Sequence, residues 1–249
     1  ALAARLAVVE ERIESLRAIR RLLAEAPGVG LVAHNDMLAI DAVAVLLTGA
    51  FADDPVVRVI IAAAPDPLVA LDHLHRVTLG SEYLVMSGES SANGIPGDAV
   101  VDLAVDGDGR VLGAALWDRI DRAPKTPADL EGDDAGADGG IDLALLGDAW
   151  ELLTRDTAAC LAERPTRPHW YLYLLAVDAG ARGMGIGSAL LDHGLARADA
   201  SGLPAHLEAT SDGAARLYER CGFRTTATIA PGAPLPSYRA MTREASATS

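Results

Sequence analysis

The sequence is poor in aromatic residues and in basic side chains. Aromatic residues make up 4% of its 249 residues, and 21 lysines and arginines face 35 aspartates and glutamates, for a net charge of −14. A surface that binds nucleic acid needs a basic face, so this balance argues against a nucleic-acid partner. The same balance is compatible with a positively charged small molecule, although acidic surfaces also serve solubility alone.

Cysteine is almost absent, and long apolar runs are missing. The two cysteines, Cys160 and Cys221, are far apart and form no disulfide framework, so we expect reduced thiols in a cytoplasmic protein. No apolar run is long enough to span a bilayer, and the charged N-terminal segment does not resemble a signal peptide. We therefore expect no membrane partner.

Residues 1–28 differ in pattern from the rest of the chain. Apolar residues recur there at alternating spacings of three and four, with Arg20 interrupting the stripe, and Pro27-Gly28 ends the pattern. This predicts an amphipathic helix over residues 1–26 that either forms a homodimer or packs on its own domain. We assign residues 29–249 to a second unit, the main domain. The apolar residues of the stripe are Leu2, Leu6, Val9, Ile13, Leu16 and Leu23.

The main domain is predicted to be mixed α/β, with a mostly antiparallel sheet flanked by helices. An Asp-Gly-Asp-Gly sequence at 106–109 indicates a tight hairpin, and turn-forming residues predict loops at 87–98 and 118–142. The expected elements are a strand over 29–33, a helix over 37–51 capped by Asn35 or Asp36, a helix over 68–84, strands over 100–105 and 111–117, a helix over 143–162, a strand over 170–177, a helix from Ser188, a strand and a helix before Phe223, a strand to about Ile229 and a strand over 238–243.

A glycine-rich turn follows the apolar strand at Trp170 to Val177. It runs from Arg182 through Gly183, Met184, Gly185, Ile186 and Gly187 to a helix that begins at Ser188. The first turn of a helix offers unpaired N–H groups and a positive dipole end, and glycines let the backbone approach a phosphate closely. Arg182 adds a cation. The pattern is therefore typical of a pyrophosphate site.

A dinucleotide-binding turn is the competing interpretation of this glycine run. That motif has the spacing GxGxxG directly after a strand, with an acid about 20 residues later. Glu208 lies near the acidic position, but the spacing here is GxGxG, and Asp178 to Ala181 separate the strand from Arg182. Tyr218 and the Gly222-Phe223 pair have no role in a dinucleotide motif.

The segment 169–223 resembles the GCN5-related N-acetyltransferase (GNAT) superfamily. The resemblance rests on the strand, the glycine turn and the frame L-Y-x-x-x-G-F at 217–223. HWYLYLLAV, GIGSALL, LEATS, LYERCGF and AFADDP are most similar to the puromycin N-acetyltransferase-type branch. The resemblance implies an enzyme that uses acetyl-CoA as co-substrate, without a metal, to acetylate the amine of a small molecule.

The resemblance also implies the residues that bind the cofactor. The strand positions Leu175, Ala176 and Val177 would bind the pantetheine arm and the thioester carbonyl through their backbone. Where the family often has an asparagine, this chain has Ser211, whose hydroxyl offers one polar contact. The remaining implied positions are Arg182, Gly183, Met184, Gly185, Ile186, Gly187 and Ser188.

Two residues are candidates for the catalytic steps. Tyr218 stands where the family has a tyrosine, and its phenol, with a usual pKa of about 10, would donate a proton to the departing thiolate. Glu208, within LEATS, is a candidate general base if apolar surroundings raise its pKa; the alternative is a structural acid paired with a basic group. Asp53 and Asp54 are candidates for attracting the acceptor cation, or else they form a surface turn.

Two further features bear on function. His73 and His75 are two residues apart, which places them on different faces of a helix, so they do not indicate a metal pair. An alternative to the enzyme is a non-catalytic acetyl-CoA sensor attached to a regulator through the N-terminal helix. The intact Tyr218 favours the enzyme.

Overall fold

Seven strands form one mixed sheet in the computed structural model, which describes residues 30–33, 40–83, 99–121 and 140–246. The strands are β1 (Gly30–Ala33), β2 (Ala99–Val105), β3 (Val111–Ile120), β4 (His169–Val177), β5 (Ala205–Ala209), β6 (Arg224–Ile229) and β7 (Tyr238–Arg243). Their order across the sheet is β1-β2-β3-β4-β5-β7-β6, and β4 with β5 is its one parallel pair. This confirms the predicted mostly antiparallel sheet, and it does not fit a doubly wound dinucleotide fold, whose sheet is parallel.

Helices cover both faces of the sheet. They are α1 (Ile40–Phe51), α2 (Val57–Ile61), α3 (Pro67–Thr78), α4 (Leu143–Leu146), α5 (Ala149–Glu163), α6 (Ile186–Ser201) and α7 (Asp212–Arg220). The side chains of α6 and α7 pack on one face, together with alternate residues of β3, β4 and β5. The opposite face carries two separate apolar clusters, one under α1 and one under α2 and α5.

The hairpin between β2 and β3 forms as predicted. The Asp106 N–H donates to the Arg110 carbonyl at 3.0 Å, and Gly109 adopts a φ of 81° that favours glycine. However, β3 continues three residues beyond the predicted end at Trp117, because Asp118, Arg119 and Ile120 pair with the start of β4. The predicted loop at 118–142 therefore begins too early.

Two predicted helices are divided in the structure. The helix expected over 68–84 is α3 followed by one wider helical turn, Leu79–Tyr83. The helix expected over 143–162 is α4 and α5, separated at Gly147, whose φ of 51° ends α4. The short helix α2 was not predicted.

Several predictions lie outside the described residues. These are the N-terminal helix at 1–26, the cap at Asn35 or Asp36 and the loop at 87–98. Neither Cys160 nor Cys221 is part of a disulfide. No helix within residues 40–83 and 140–246 is both long and apolar enough to cross a membrane.

Candidate functional site

The parallel strands β4 and β5 separate shortly after they meet. They pair only at Trp170 with Ala205 and at Tyr171 with His206. Beyond these pairs, β4 remains bonded to β3 and β5 to β7, so a wedge-shaped gap opens between the two strands. The β4 edge that faces this gap includes the backbone of Leu175, Ala176 and Val177, the three positions implied for the pantetheine arm.

A bulge in β4 accompanies this separation. Trp117 pairs with Leu172 and Leu116 pairs with Leu174, which leaves Tyr173 as an extra residue. Such a residue bends the strand and shifts the alternation of its side chains. Leu172 accordingly packs in the α6 cluster, whereas Leu174 packs in the α1 cluster on the other face.

The glycine turn leads directly into α6. Gly183 and Gly185 adopt φ values of 79° and 80°, which favour glycine. Gly185 is the N-cap of α6 and supplies no side-chain acceptor, so the first N–H groups of the helix are available to a ligand. Arg182 is exposed beside this turn and forms no ion pair with any described residue. The turn therefore suits a pyrophosphate.

Gly187 lies between the end of β4 and α7. A Cβ atom at Gly187 would lie 3.5 Å from Cγ2 of Val177 and 4.0 Å from Cδ2 of Leu217, which is ordinary contact. Packing within the protein therefore does not require a glycine at this position. A ligand that approaches the backbone closely would explain it better. Of the other turn residues, Met184 is 40% exposed, Ile186 is buried and Ser188 is half-buried.

Tyr218 lies in α7 on the same face of the sheet as α6. Its ring is buried and packs against Phe223, with ring centroids 5.9 Å apart. Burial, and next the charges of Cys221, Asp54 and Glu208, raise the pKa of Tyr218 above its usual value. The phenol therefore keeps its proton throughout the neutral range, as a general acid must, although the same shift weakens it as an acid.

Ser211 is the N-cap of α7. Its hydroxyl accepts a hydrogen bond from the Ala214 N–H at 3.2 Å. This bond occupies the oxygen as an acceptor and leaves its O–H as a donor. Ser211 therefore has a structural role that is compatible with one further contact to a ligand.

A polar cluster separates the two apolar clusters on the other face of the sheet. The Tyr171 hydroxyl donates to Glu208 Oε2 at 2.7 Å. The Arg164 guanidinium lies 3.9 Å from the Tyr171 ring centroid and 3.7 Å from Glu208 Oε1, and His206 Nε2 lies 3.6 Å from the same oxygen. Glu208 is thus surrounded by groups that favour its anion.

The surroundings of Glu208 decide the direction of its pKa. Burial alone would raise it, but the His206 ring, the Arg164 guanidinium and the Tyr171 phenol together lower it. The condition stated for a general base, apolar surroundings that raise the pKa of Glu208, is therefore not met. The basic partners that the alternative required are present.

A second carboxyl, Asp118, lies on the same face and was not found by sequence reasoning. The Tyr83 hydroxyl donates to Asp118 Oδ2 at 2.5 Å, and burial raises the pKa of Asp118 to about 6 against the opposing effects of Tyr83 and Arg164. The available signal was a charged residue at the end of the apolar run VLGAALW. The predicted strand over 111–117 stops one residue before Asp118.

The acids at the end of α1 have different surroundings. Asp54 Oδ1 accepts from the N–H groups of Val56 and Val57 at 2.9 and 3.1 Å, and Oδ2 accepts from the Thr210 hydroxyl. Asp53 is exposed. Asp54 thus stabilises the start of α2 and ties it to the end of β5, while remaining near the polar cluster.

His73 and His75 contact different partners. His75 Nδ1 lies 3.0 Å from the Thr48 hydroxyl, whereas His73 Nε2 accepts from the Asp142 N–H at 2.8 Å. Across the described ranges, no group of three or more His, Cys, Asp or Glu side chains is arranged to hold a metal ion.

Comparison with known proteins agrees with this geometry. Residues 149–223, which include the glycine turn, both edges of the gap and Tyr218, match the model of the Acetyltransferase (GNAT) family. The chain contains a GNAT superfamily acetyltransferase domain. The family and its structural neighbours are N-acetyltransferases, and the family uses acetyl-CoA.

Solved structures resemble most of the chain. A structure from Corynebacterium glutamicum, described as histone acetyltransferase HPA2 and related acetyltransferase, is 28% identical, with 89% of this chain and 99% of that chain covered and a TM-score of 0.59. Arylalkylamine N-acetyltransferase 2 from Aedes aegypti is 14% identical, with 88% and 99% covered and a TM-score of 0.57. A polyamine N-acetyltransferase from Drosophila melanogaster, which forms N-acetylagmatine, is 16% identical, with 86% and 100% covered and a TM-score of 0.54.

Proposed function

We propose that the protein transfers the acetyl group of acetyl-CoA to the amine of a small molecule. The proposal rests on the gap between β4 and β5, because the two faces of the sheet differ chemically on either side of this gap. The glycine turn and Tyr218 lie towards the α6 face, and the acidic cluster around Glu208 and Asp118 lies towards the opposite face. An acyl donor and a cationic acceptor would therefore meet at the gap from opposite faces.

On the α6 side of the gap, backbone groups would provide most of the contacts to acetyl-CoA. We propose that the α6 N-terminus, from Gly183 to Ser188, binds the pyrophosphate with help from Arg182. Leu175, Ala176 and Val177 would hold the pantetheine arm through the open edge of β4, and the Ser211 hydroxyl would add one hydrogen bond. Acetyl-CoA supplies the acetyl group as an activated thioester.

On the catalytic side, we propose that Tyr218 is the general acid. Among the described residues its hydroxyl has no hydrogen-bond partner, so it is available to the departing sulfur. The role predicted for Glu208 as a base stays a prediction, and its surroundings fit a permanent anion better. As an anion, Glu208 would contribute to the negative potential that attracts an ammonium group.

The acceptor is proposed from the chemistry of this face. Carboxyl groups and the exposed aromatic ring of Tyr173 suit an organic ammonium ion. The neighbours described as acting on agmatine, polyamines and arylalkylamines share this charge. The resemblance of LEATS and LYERCGF to the puromycin-type branch adds aminonucleosides to the candidates.

An amine panel tests the proposal. Purified protein is mixed with acetyl-CoA and agmatine, spermidine, tryptamine or puromycin, and thiol release is followed against an acceptor-free control. We expect at least one amine to accelerate thiol release and to appear as its acetamide by mass spectrometry. Acetyl-CoA binding by calorimetry without turnover on any amine would contradict the enzyme and support the sensor.

We also propose that residues 1–26 mediate homodimer formation, on the basis of their heptad stripe. Deleting these residues should lower the mass measured by sedimentation while acetyl-CoA binding survives. An intact chain that sediments as a monomer would contradict this proposal.

A further inference from the structure

Two carboxyl groups, those of Asp118 and Glu208, lie on the sheet face opposite α6, which we call the acceptor face because it is the proposed binding side for the amine. Their positions on this face differ. Asp118 is directly opposite Tyr171 in the antiparallel pair of β3 and β4, so both side chains point to the same face of the sheet. Glu208 lies on the other side of Tyr171 and accepts a hydrogen bond from its hydroxyl. Tyr171 thus stands between the two acids.

Asp118 is linked to a solvent-exposed side chain of β4 through two aromatic rings. Tyr83 donates its hydroxyl to Asp118 Oδ2, and its ring stacks on Tyr173 with centroids 6.4 Å apart. Tyr173, the extra residue of the bulge, is 40% exposed. Asp118 Oδ1 has no hydrogen bond to any described residue, so one carboxylate oxygen remains available.

Glu208 offers no comparable oxygen. Its Oε1 atom is shielded from solvent, and Oε2 already accepts the Tyr171 hydroxyl. The nearby Arg164 guanidinium also compensates its charge. A carboxylate stabilised in this way has little tendency to take up a proton.

We propose that Asp118 accepts the proton that the acceptor ammonium loses before acetyl transfer. An N–H bond of the ammonium breaks, its electron pair stays on nitrogen, and the proton joins a carboxylate oxygen of Asp118, which later returns it to solvent. The neutral nitrogen is then able to attack the thioester. This inference rests on the proposed N-acetyltransferase function and assigns its unassigned proton acceptor.

The groups that face Asp118 set its proton affinity. They are the Tyr83 phenol from the turn after α3, the Arg164 guanidinium from the end of α5 and the Tyr171 phenol from β4, with Glu208 beyond it on β5. Burial outweighs the lowering effects of Tyr83 and Arg164 and raises the pKa of Asp118 to about 6. Above this pH the carboxylate is ionised, yet it still binds a proton readily near neutrality.

The pH dependence of kcat/KM for Asp118→Asn tests the inference, because the amide is similar in size and can still accept the Tyr83 hydroxyl. With an alkylamine of high pKa, the wild type should level off above about pH 6, where Asp118 is ionised. The variant depends on amine that is already neutral, so its kcat/KM should keep rising up to the pKa of the amine. At pH 7 we expect a loss on the order of a hundredfold.

A hydrazide acceptor provides a second test of Asp118→Asn. Its nitrogen is already neutral at pH 7, so no proton has to be removed before it attacks, and the loss in Asp118→Asn should shrink to within about threefold. Tyr83→Phe removes the donor to Asp118 and should move the acidic limb of the wild-type profile to higher pH. This second variant keeps the test valid if Asp118→Asn does not fold.

Matched variants separate the outcomes. Asp121→Asn removes a partly exposed acid near the same strand, paired with Arg119 at 3.1 Å, and should keep the wild-type profile. An unchanged profile in Asp118→Asn, or loss of the plateau in Glu208→Gln instead, would overturn the inference. A wild type that acetylates no amine would refute the proposed function itself.

Discussion

The indole of Trp117 lies directly against the backbone of Gly194. A Cβ atom at Gly194 would lie 2.2 Å from Cε2 of Trp117, closer than any side chain tolerates. Gly194 is in the middle of α6, and Trp117 is fully buried in β3. The contact lets α6 approach the sheet closely, which fixes the position of its N-terminal glycine turn.

Gly194→Ala should destabilise the protein, because neither the rigid indole nor the helix backbone can move aside easily. We expect a loss of about 2–3 kcal/mol in the free energy of unfolding, measured with urea. Gly49→Ala is the matched control: Gly49 is also helical, but a Cβ there meets nothing within 4 Å. That control should gain up to about 1 kcal/mol from helix propensity. Equal effects of the two changes would contradict the packing argument.

Gly185→Asp should abolish acetyl-CoA binding, because it places a carboxylate at the proposed pyrophosphate site. Gly202→Asp provides the comparison, since Gly202 caps the opposite end of α6 with a similar φ of 65°. Calorimetry on the folded variants should show binding lost in the first and retained in the second. Arg182→Glu should also lose affinity. Wild-type affinity in both Gly185→Asp and Arg182→Glu would refute the proposed site.

Tyr218→Phe should retain the fold and acetyl-CoA binding but lose turnover. The ring still packs on Phe223, and only the proton donor is removed. We expect kcat to fall on the order of a hundredfold, with the dissociation constant for acetyl-CoA nearly unchanged. If the variant turns over at the wild-type rate, Tyr218 is only a core residue and another group protonates the sulfur.

The buried His75 should make stability depend on pH. Burial lowers its pKa to about 4 despite the nearby Asp72, so between about pH 6.5 and pH 4 the unfolded chain binds the additional proton. The free energy of unfolding should therefore fall as the pH drops through this window, by at most about 1.4 kcal/mol per pH unit for one proton. His75→Gln should reduce this slope. Burial also lowers the pKa of His169 to about 4, so part of the pH dependence should remain in this variant.

Asp118 should have the opposite effect on stability. Its folded pKa of about 6 exceeds the usual value of 3.8, so the folded state binds the additional proton between these values. Acidification from pH 7 to pH 4 should therefore stabilise the wild type relative to Asp118→Asn, by about 3 kcal/mol at most. Urea unfolding at both pH values measures this difference, and a difference that does not change with pH would show that Asp118 titrates normally.

Elements with a strong local pattern were predicted well. The strand now seen at His169–Val177, the hairpin at 106–109 and the final strand Tyr238–Arg243 match their predicted positions closely. Turn residues and runs of apolar side chains fix these elements locally. The division at Gly147 was missed, because the apolar pattern continues across the break between α4 and α5.

The candidate donor site was visible in the sequence for the same reason. The glycine turn, Ser211 and Tyr218 follow one another along a single β-α-β-α segment, so their order along the chain implies their placement. The composition of the proposed acceptor face could not be predicted from the sequence in this way. Its groups come from separate parts of the chain, among them Tyr83, Asp118, Arg164 and Glu208.

The sequence by itself determined the mixed α/β fold, the family resemblance and the glycine-rich turn at 182–188 that we propose as the phosphate site, because each depends on neighbouring residues. Only the tertiary structure decided that Tyr173 is an extra residue in β4 and that the side-chain alternation reverses there. It also decided that Glu208 lies beside Arg164 while Asp118 has mainly a phenol as its partner. Proton affinity depends on burial and on charges brought together from distant segments, which local sequence patterns do not specify.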